Sequence, residues 1–79
     1  MSEVTIPAIE LSGRDIGRVI EHADLPGGLG RLVEIYHYLG TNGKIFTTVY
    51  IRDESNALFK GFIPSEDPVT LTDIRKYSK

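Results

Sequence analysis

With 79 residues, no cysteine and a net charge of −2 from nine basic and eleven acidic side chains, the chain is one small domain without a disulfide framework or thiolate site. A chain this short builds a thin core, since small domains bury only about 60% of the surface their unfolded form exposes. The charge balance draws nothing toward phosphate, no run reaches the roughly 18 apolar residues of a membrane span, and the acidic start MSEVTIPAIE is unlike a signal peptide, so a cytoplasmic protein is expected.

The first run, VTIPAIEL, alternates loosely and contains Pro7, which has no ladder donor and suits an edge strand or a strand end. Leu11-Ser12-Gly13 breaks it. Between Asp15 and His22, the residues Ile16, Val19 and Ile20 fit helical and strand spacing alike, and Gly17 in the centre favours a strand or bulge. ADLPGGLG, residues 23–30, reads as a loop.

Next come RLVEIYHYL and KIFTTVYIR, flanking Thr41-Asn42-Gly43-Lys44. An Asn-Gly pair between two such runs predicts a β-hairpin, because both residues tolerate the positive φ of a type I′ turn. A two-residue turn places Leu39 opposite Phe46, His37 opposite Thr48 and Ile35 opposite Tyr50 on one surface. Tyr38 then faces Thr47, Tyr36 faces Val49 and Glu34 faces Ile51 on the other. A second turn, Asp53-Glu54-Ser55-Asn56, leads into ALFKGFI and completes a three-stranded meander. Pro64-Ser65-Glu66-Asp67-Pro68 predicts a break through a single 3₁₀ turn before a last strand at Val69-Thr70-Leu71. Residues 72–79 are expected to be a short tail or a helix capped by Thr72.

These elements predict a single all-β domain over residues 1–79, a small five- or six-stranded, partly open barrel. Val33, Ile35, Val49, Ile51, Leu58, Phe62 and Val69 are the expected core. At least half of the aromatic rings are expected inside, because a core this small needs them for burial.

Little in the chain carries catalytic chemistry. His22 and His37 stand fifteen residues apart on different predicted strands and read as satisfied or surface histidines, not metal ligands. The carboxylates are scattered, and Asp53-Glu54 falls in a turn where solvation explains both. Gly27-Gly28-Leu29-Gly30-Arg31 lacks the Gly-Lys-Ser/Thr end of a P-loop and precedes a strand, which makes it a β-connection. No enzyme, cofactor or metal is expected.

Binding is what remains. Tyr36, Tyr38, Phe46 and Tyr50 lie on adjacent strands with Arg52 at the strand end, a set suited to a protein partner because tyrosine offers large contact area and a hydroxyl at low entropy cost. Self-association through open strand edges, giving a dimer, belongs under the same heading. The alternative is single-stranded nucleic acid stacked on the same rings and held by Arg31, Lys44 and Arg52. The acidic total weighs against that alternative, as does the expected burial of the rings.

The span YIRDESNALFKGFIPSEDPVTL, residues 50–71, resembles the distal half of an SH3 domain: Arg52 to Asn56 is similar to its distal turn, and Gly61-Phe62-Ile63-Pro64-Ser65 to the strand that enters its 3₁₀ turn. The resemblance implies an SH3-like small barrel. The chain has no tryptophan and no Ala-Leu-Tyr opening motif, and Pro64 alone matches the family's ligand groove, so proline-rich peptide binding is not implied. Leu11-Ser12-Gly13-Arg14-Asp15-Ile16-Gly17-Arg18, with Asp67-Pro68-Val69-Thr70-Leu71, resembles small uncharacterised proteins of actinobacterial viruses. That likeness implies a phage accessory protein and carries no activity with it.

Overall fold

Short apolar runs punctuated by Gly, Pro, Asn and Asp form six antiparallel strands in the structure, a computed structural model that describes residues 3–72. These are β1 (Val4–Pro7), β2 (Val19–Glu21), β3 (Leu29–Leu39), β4 (Ile45–Arg52), β5 (Leu58–Pro64) and β6 (Pro68–Thr72). They build one open sheet in the order β1-β6-β2-β3-β4-β5. β3, β4 and β5 follow each other as hairpins, after which the chain crosses to insert β6 between β1 and β2. The domain is all-β as expected, and β1 and β5 are the two edges of the sheet. The predicted tail lies outside the described residues except for Thr72, which ends β6.

Both hairpin turns have the same build, and it differs from the expected two-residue turn. Gly40 N–H donates to Lys44 O and Gly43 N–H to Gly40 O, leaving a three-residue loop in which Gly43 takes φ 84° and Asn42 does not take positive φ. At the second turn Asp53 N–H donates to Ala57 O and Asn56 N–H to Asp53 O, and Asn56 takes φ 69°. This is the three-residue hairpin loop that ends on one left-handed residue. Side chains fix both loops: Asn42 Oδ1 accepts from Lys44 N–H, and Asp53 Oδ1 accepts from Ser55 N–H, Ser55 Oγ–H and Ala57 N–H. The first loop is one residue longer than expected, so the register of β3 on β4 moves by one. Tyr38 pairs with Phe46, Tyr36 with Thr48 and Glu34 with Tyr50, whereas His37 pairs with Thr47 and Ile35 with Val49.

The remaining segments follow their local chemistry. Gly13–Asp15 makes one 3₁₀ turn, held where the buried Asp15 carboxylate accepts from Ser12 N–H, and Gly17 at φ 95° turns the chain into β2. Pro64 to Asp67 closes a single turn through Asp67 N–H to Pro64 O. The loop after β2 is shorter than the sequence implied, because Leu29 and Gly30 already belong to β3.

One face of the sheet, with loop residues folded over it, holds the core: Ala8, Leu11, Ile20, Leu25, Leu32, Val49, Ile51, Ile63, Val69 and Leu71. Every one of these is aliphatic. Val49, Ile51 and Val69 are buried as expected, and Ile35 packs against the cluster from its margin. Leu58 and Phe62 are corrections, since they are 50% and 58% exposed on the opposite face of β5. Val33 sits at the bulge where the β3–β4 register shifts and is half-buried. Two glycines let the core close: a Cβ at Gly30 would lie 2.6 Å from Ile51 Cδ1, and one at Gly61 would collide with Leu25.

Candidate binding surface

Alternation along β4 sends Thr47, Val49 and Ile51 into the core and Phe46, Thr48, Tyr50 and Arg52 to the opposite face. With the longer loop, Tyr36 and Tyr38 of β3 come to that same outer face, opposite Thr48 and Phe46. On the other side of β4, Lys60 is the partner of Tyr50 and Phe62 the partner of Thr48. The expected site residues Tyr36, Tyr38, Phe46, Tyr50 and Arg52 are therefore brought together on one surface. The two-residue turn would have split the four rings between both faces.

The rings touch in two groups. Tyr36 meets Tyr50 edge-on with centroids 6.0 Å apart, and Tyr38 lies 5.9 Å from Phe46. Lys60 Nζ stands 5.6 Å from the Tyr50 centroid and 5.4 Å from that of Phe62, a cation–π bridge across β4 and β5. Thr48 is buried between its neighbours Tyr36 and Phe62. No aromatic among the described residues belongs to the core: Tyr36, Tyr38, Phe59 and Phe62 are exposed, and Phe46 and Tyr50 are half-buried. The expectation that half of the rings would be inside fails because ten small aliphatic residues already fill the space.

Charge on the outer face differs from that of the chain. Arg31 and Arg52 are Cα partners, Lys60 lies between Tyr50 and Phe62, and Glu34 is the one carboxylate in the same rows. Glu34 accepts a 3.0 Å hydrogen bond from Tyr36 Oη, and this bond, together with the carboxylate charge, raises the Tyr36 pKa above the ordinary phenol value. Arg52 Nη1 donates to Asn56 O, which ties its guanidinium to the second turn. Phe62 and Lys60 are site residues that the sequence reading missed. The signal was the alternation Leu58, Lys60, Phe62 along β5, which becomes informative once the β4 face is known.

The histidines lie elsewhere and are structural. His37 Nε2–H donates to Leu11 O at 3.0 Å, because a carbonyl only accepts, and its Nδ1 meets Thr47 Oγ1, which in turn meets Ser65 Oγ, each at 2.8 Å. His22 gathers Asp24 and Asp67 so that one ligand atom from each lies within 4.8 Å of the others. Asp24, two residues past His22, is a carboxylate that the reading of the two histidines by their separation from each other overlooked. The hydrogen bonds run against a metal centre, however. His22 Nδ1 accepts from Asp24 N–H at 2.9 Å, which leaves the proton on Nε2 facing Asp67 Oδ2 at 3.2 Å, whereas a ligating histidine donates through its second nitrogen. The cluster clamps the loop after β2 to the turn before β6.

A depression of about 550 Å³ opens between the 26–29 segment and the second hairpin turn, with Phe59 on its wall and Asp53 and Glu54 at its rim. Gly28 N–H is spent on Leu25 O, and the rim carboxylates repel phosphate, so the glycine-rich loop acts as a connection. No helix among the described residues is long and apolar enough to cross a membrane. Comparison of the chain with protein-family models, with curated proteins and with solved structures finds no match.

Proposed function

We propose that this protein is a non-enzymatic binding module, an SH3-like small barrel in shape, that engages a protein partner through the outer face of β3, β4 and β5. The observation that supports this most is the separation of residue types. A chain with so few aromatic residues leaves Tyr36, Tyr38, Phe46, Tyr50 and Phe62 outside its core and on one surface. Exposed aromatic surface of this extent marks an interaction site, and central aromatic residues beside an arginine are the usual anchors of protein interfaces. The basic groups around the rings favour a partner segment that mixes apolar and acidic side chains. A role as a cytoplasmic accessory factor of a phage rests on the likeness of residues 11–18 and 67–71 alone.

The test compares two baits, the wild-type chain and Tyr36→Ala/Tyr38→Ala, in nuclease-treated extract of the native host. A protein retained by the first and lost by the second, with both baits folded by circular dichroism, is the expected result. Equal retention by both would remove the outer face from consideration.

Single-stranded nucleic acid is the second reading, favoured by the same rings together with Arg31, Lys44, Arg52 and Lys60. Burial of the rings weighed against it, whereas Tyr36, Tyr38 and Phe62 are exposed and Phe46 and Tyr50 half-buried. A labelled oligonucleotide whose anisotropy rises with the wild type, falls steeply with added salt and is indifferent to sequence would favour this reading over a protein partner.

A further inference from the structure

The edge of β5 holds a second interaction element, made of backbone groups, that adjoins the aromatic face and shares Lys60 and Phe62 with it. β5 pairs with β4 on one side and with no other strand of the sheet. Because Asp53 N–H bonds Ala57 O at the turn, the antiparallel ladder makes Phe59, Gly61 and Ile63 the hydrogen-bonded positions against β4. Leu58, Lys60 and Phe62 therefore direct their N–H and C=O groups outward, whereas the Pro64 carbonyl is spent on Asp67 N–H. The groups of Leu58, Lys60 and Phe62 are unspent among the described residues, on a strand whose Leu58, Phe59 and Phe62 side chains are all exposed.

We propose that two copies of the chain pair antiparallel through β5 across a two-fold axis at Gly61, setting Lys60 opposite Phe62 of the partner subunit. Three neighbouring registers compete, and side-chain chemistry chooses between them. An axis at Lys60 places two ammonium groups directly opposite, which is unfavourable. An axis at Phe62 sets Lys60 against Pro64 and forfeits the bond to the N–H that proline lacks. The axis at Gly61 lets each Lys60 and Phe62 exchange both backbone bonds, moves Pro64 to the end of the ladder, and puts an ammonium beside an aromatic ring on both sides. Within one chain Lys60 already rests on the Phe62 ring, so the two groups meet without desolvating an unpaired charge. Gly61 suits the axis for a separate reason: Leu25 occupies the core side of β5 at this residue, and no Cβ fits there. The partner strand thus passes a position free of side chains, where non-hydrogen-bonded pairs approach closest.

An edge contact of this kind buries less surface than the roughly 1,000 Å² of a stable interface, so the dimer is weak and concentration-dependent. Sedimentation equilibrium of the full chain between about 10 µM and about 1 mM should show a monomer–dimer equilibrium, with association changing tenfold for each 1.4 kcal/mol gained or lost. Phe62→Lys places two ammonium groups opposite each other and should weaken the dimer by about tenfold or more while the circular dichroism of the fold is kept. Tyr36→Ala, away from the edge, should leave the dimer unchanged. Register is read separately by mild oxidation of a mixture of Lys60→Cys and Phe62→Cys chains, which is clean because the native chain has no cysteine. Cross-linked heterodimer in excess of the two homodimers together, which random pairing of equal amounts only equals, supports the Gly61 axis. A strict monomer at the highest concentration, a dimer that ignores Phe62→Lys, or a predominance of homodimers would each overturn the proposal. A monomer that still captures its partner would leave the aromatic-face reading standing.

Discussion

Asn56 is the single non-glycine residue with positive φ among the described residues, and it stands where the first hairpin has Gly43. Left-handed backbone costs most L-residues about 1–2 kcal/mol, and asparagine less, because its short polar side chain bonds locally. Asn56→Ala should therefore lower stability by roughly 1 kcal/mol in urea unfolding, while Asn56→Gly should change it by less. The neighbouring Asp53 carries the rest of the turn. The Ser55 hydroxyl, and then Ala57 N–H, hold its pKa below the ordinary carboxylate value. A carboxyl lowered on folding stabilises the folded state above its ordinary pKa and loses that contribution as pH falls through the lowered one. The Ser55 and Ala57 amide resonances should accordingly stay unchanged from neutral pH through the ordinary carboxylate range and move only below it. A midpoint at or above the ordinary value would contradict the hydrogen bonds that define the turn. On the outer face the sign reverses: Glu34→Gln removes the charge that raises the Tyr36 pKa, so the Tyr36 ring should titrate at lower pH in the variant.

At the scale of strands, β4 shows why the two faces differ in energy. Its inward residues Val49 and Ile51 are fully buried, and Ile51 also lies over Gly30. Ile51→Ala should cost about 2–5 kcal/mol in chemical denaturation, the usual range for emptying a core position. Phe62→Ala, on the exposed side of β5, removes a larger side chain yet should cost less than about 1 kcal/mol, because the ring contributes cross-strand contacts and little burial. If the two costs were similar, the placement of the core on one face would be wrong. The existence of the hairpins and of the second turn was legible from Asn42-Gly43 and Asp53 to Asn56. Which residues share a face was not, since Asn-Gly fits a two-residue loop and a three-residue loop that ends on glycine equally well. One residue of loop length moved Tyr36 and Tyr38 from opposite Val49 and Thr47 to opposite Thr48 and Phe46.

Across the whole molecule, charge and apolar surface are sorted in a way that composition conceals. A chain of net charge −2 gathers Arg31, Arg52 and Lys60 around its exposed rings and leaves one carboxylate, Glu34, among them. Partner binding at that surface should weaken as sodium chloride is raised across about 0.05–0.5 M, because screening shortens the reach of these groups; salt-independent affinity would show that the rings alone carry the contact. The clamp of His22 on Asp67, and that of His37 on Leu11 and Thr47, join segments 45 and 26 residues apart, contacts that no local pattern announces. Sequence by itself determined the all-β class, the strand-and-turn order, the positions that break strands, and the handful of aromatic and basic residues available for recognition. These are consequences of local backbone preference and apolar alternation, which each segment carries alone. Tertiary structure decided that an aliphatic cluster drawn from five strands and two loops fills the core, so that the rings stay outside and share one face. That outcome depends on volumes summed over distant residues and on the register of one loop, and neither quantity exists until the sheet has formed.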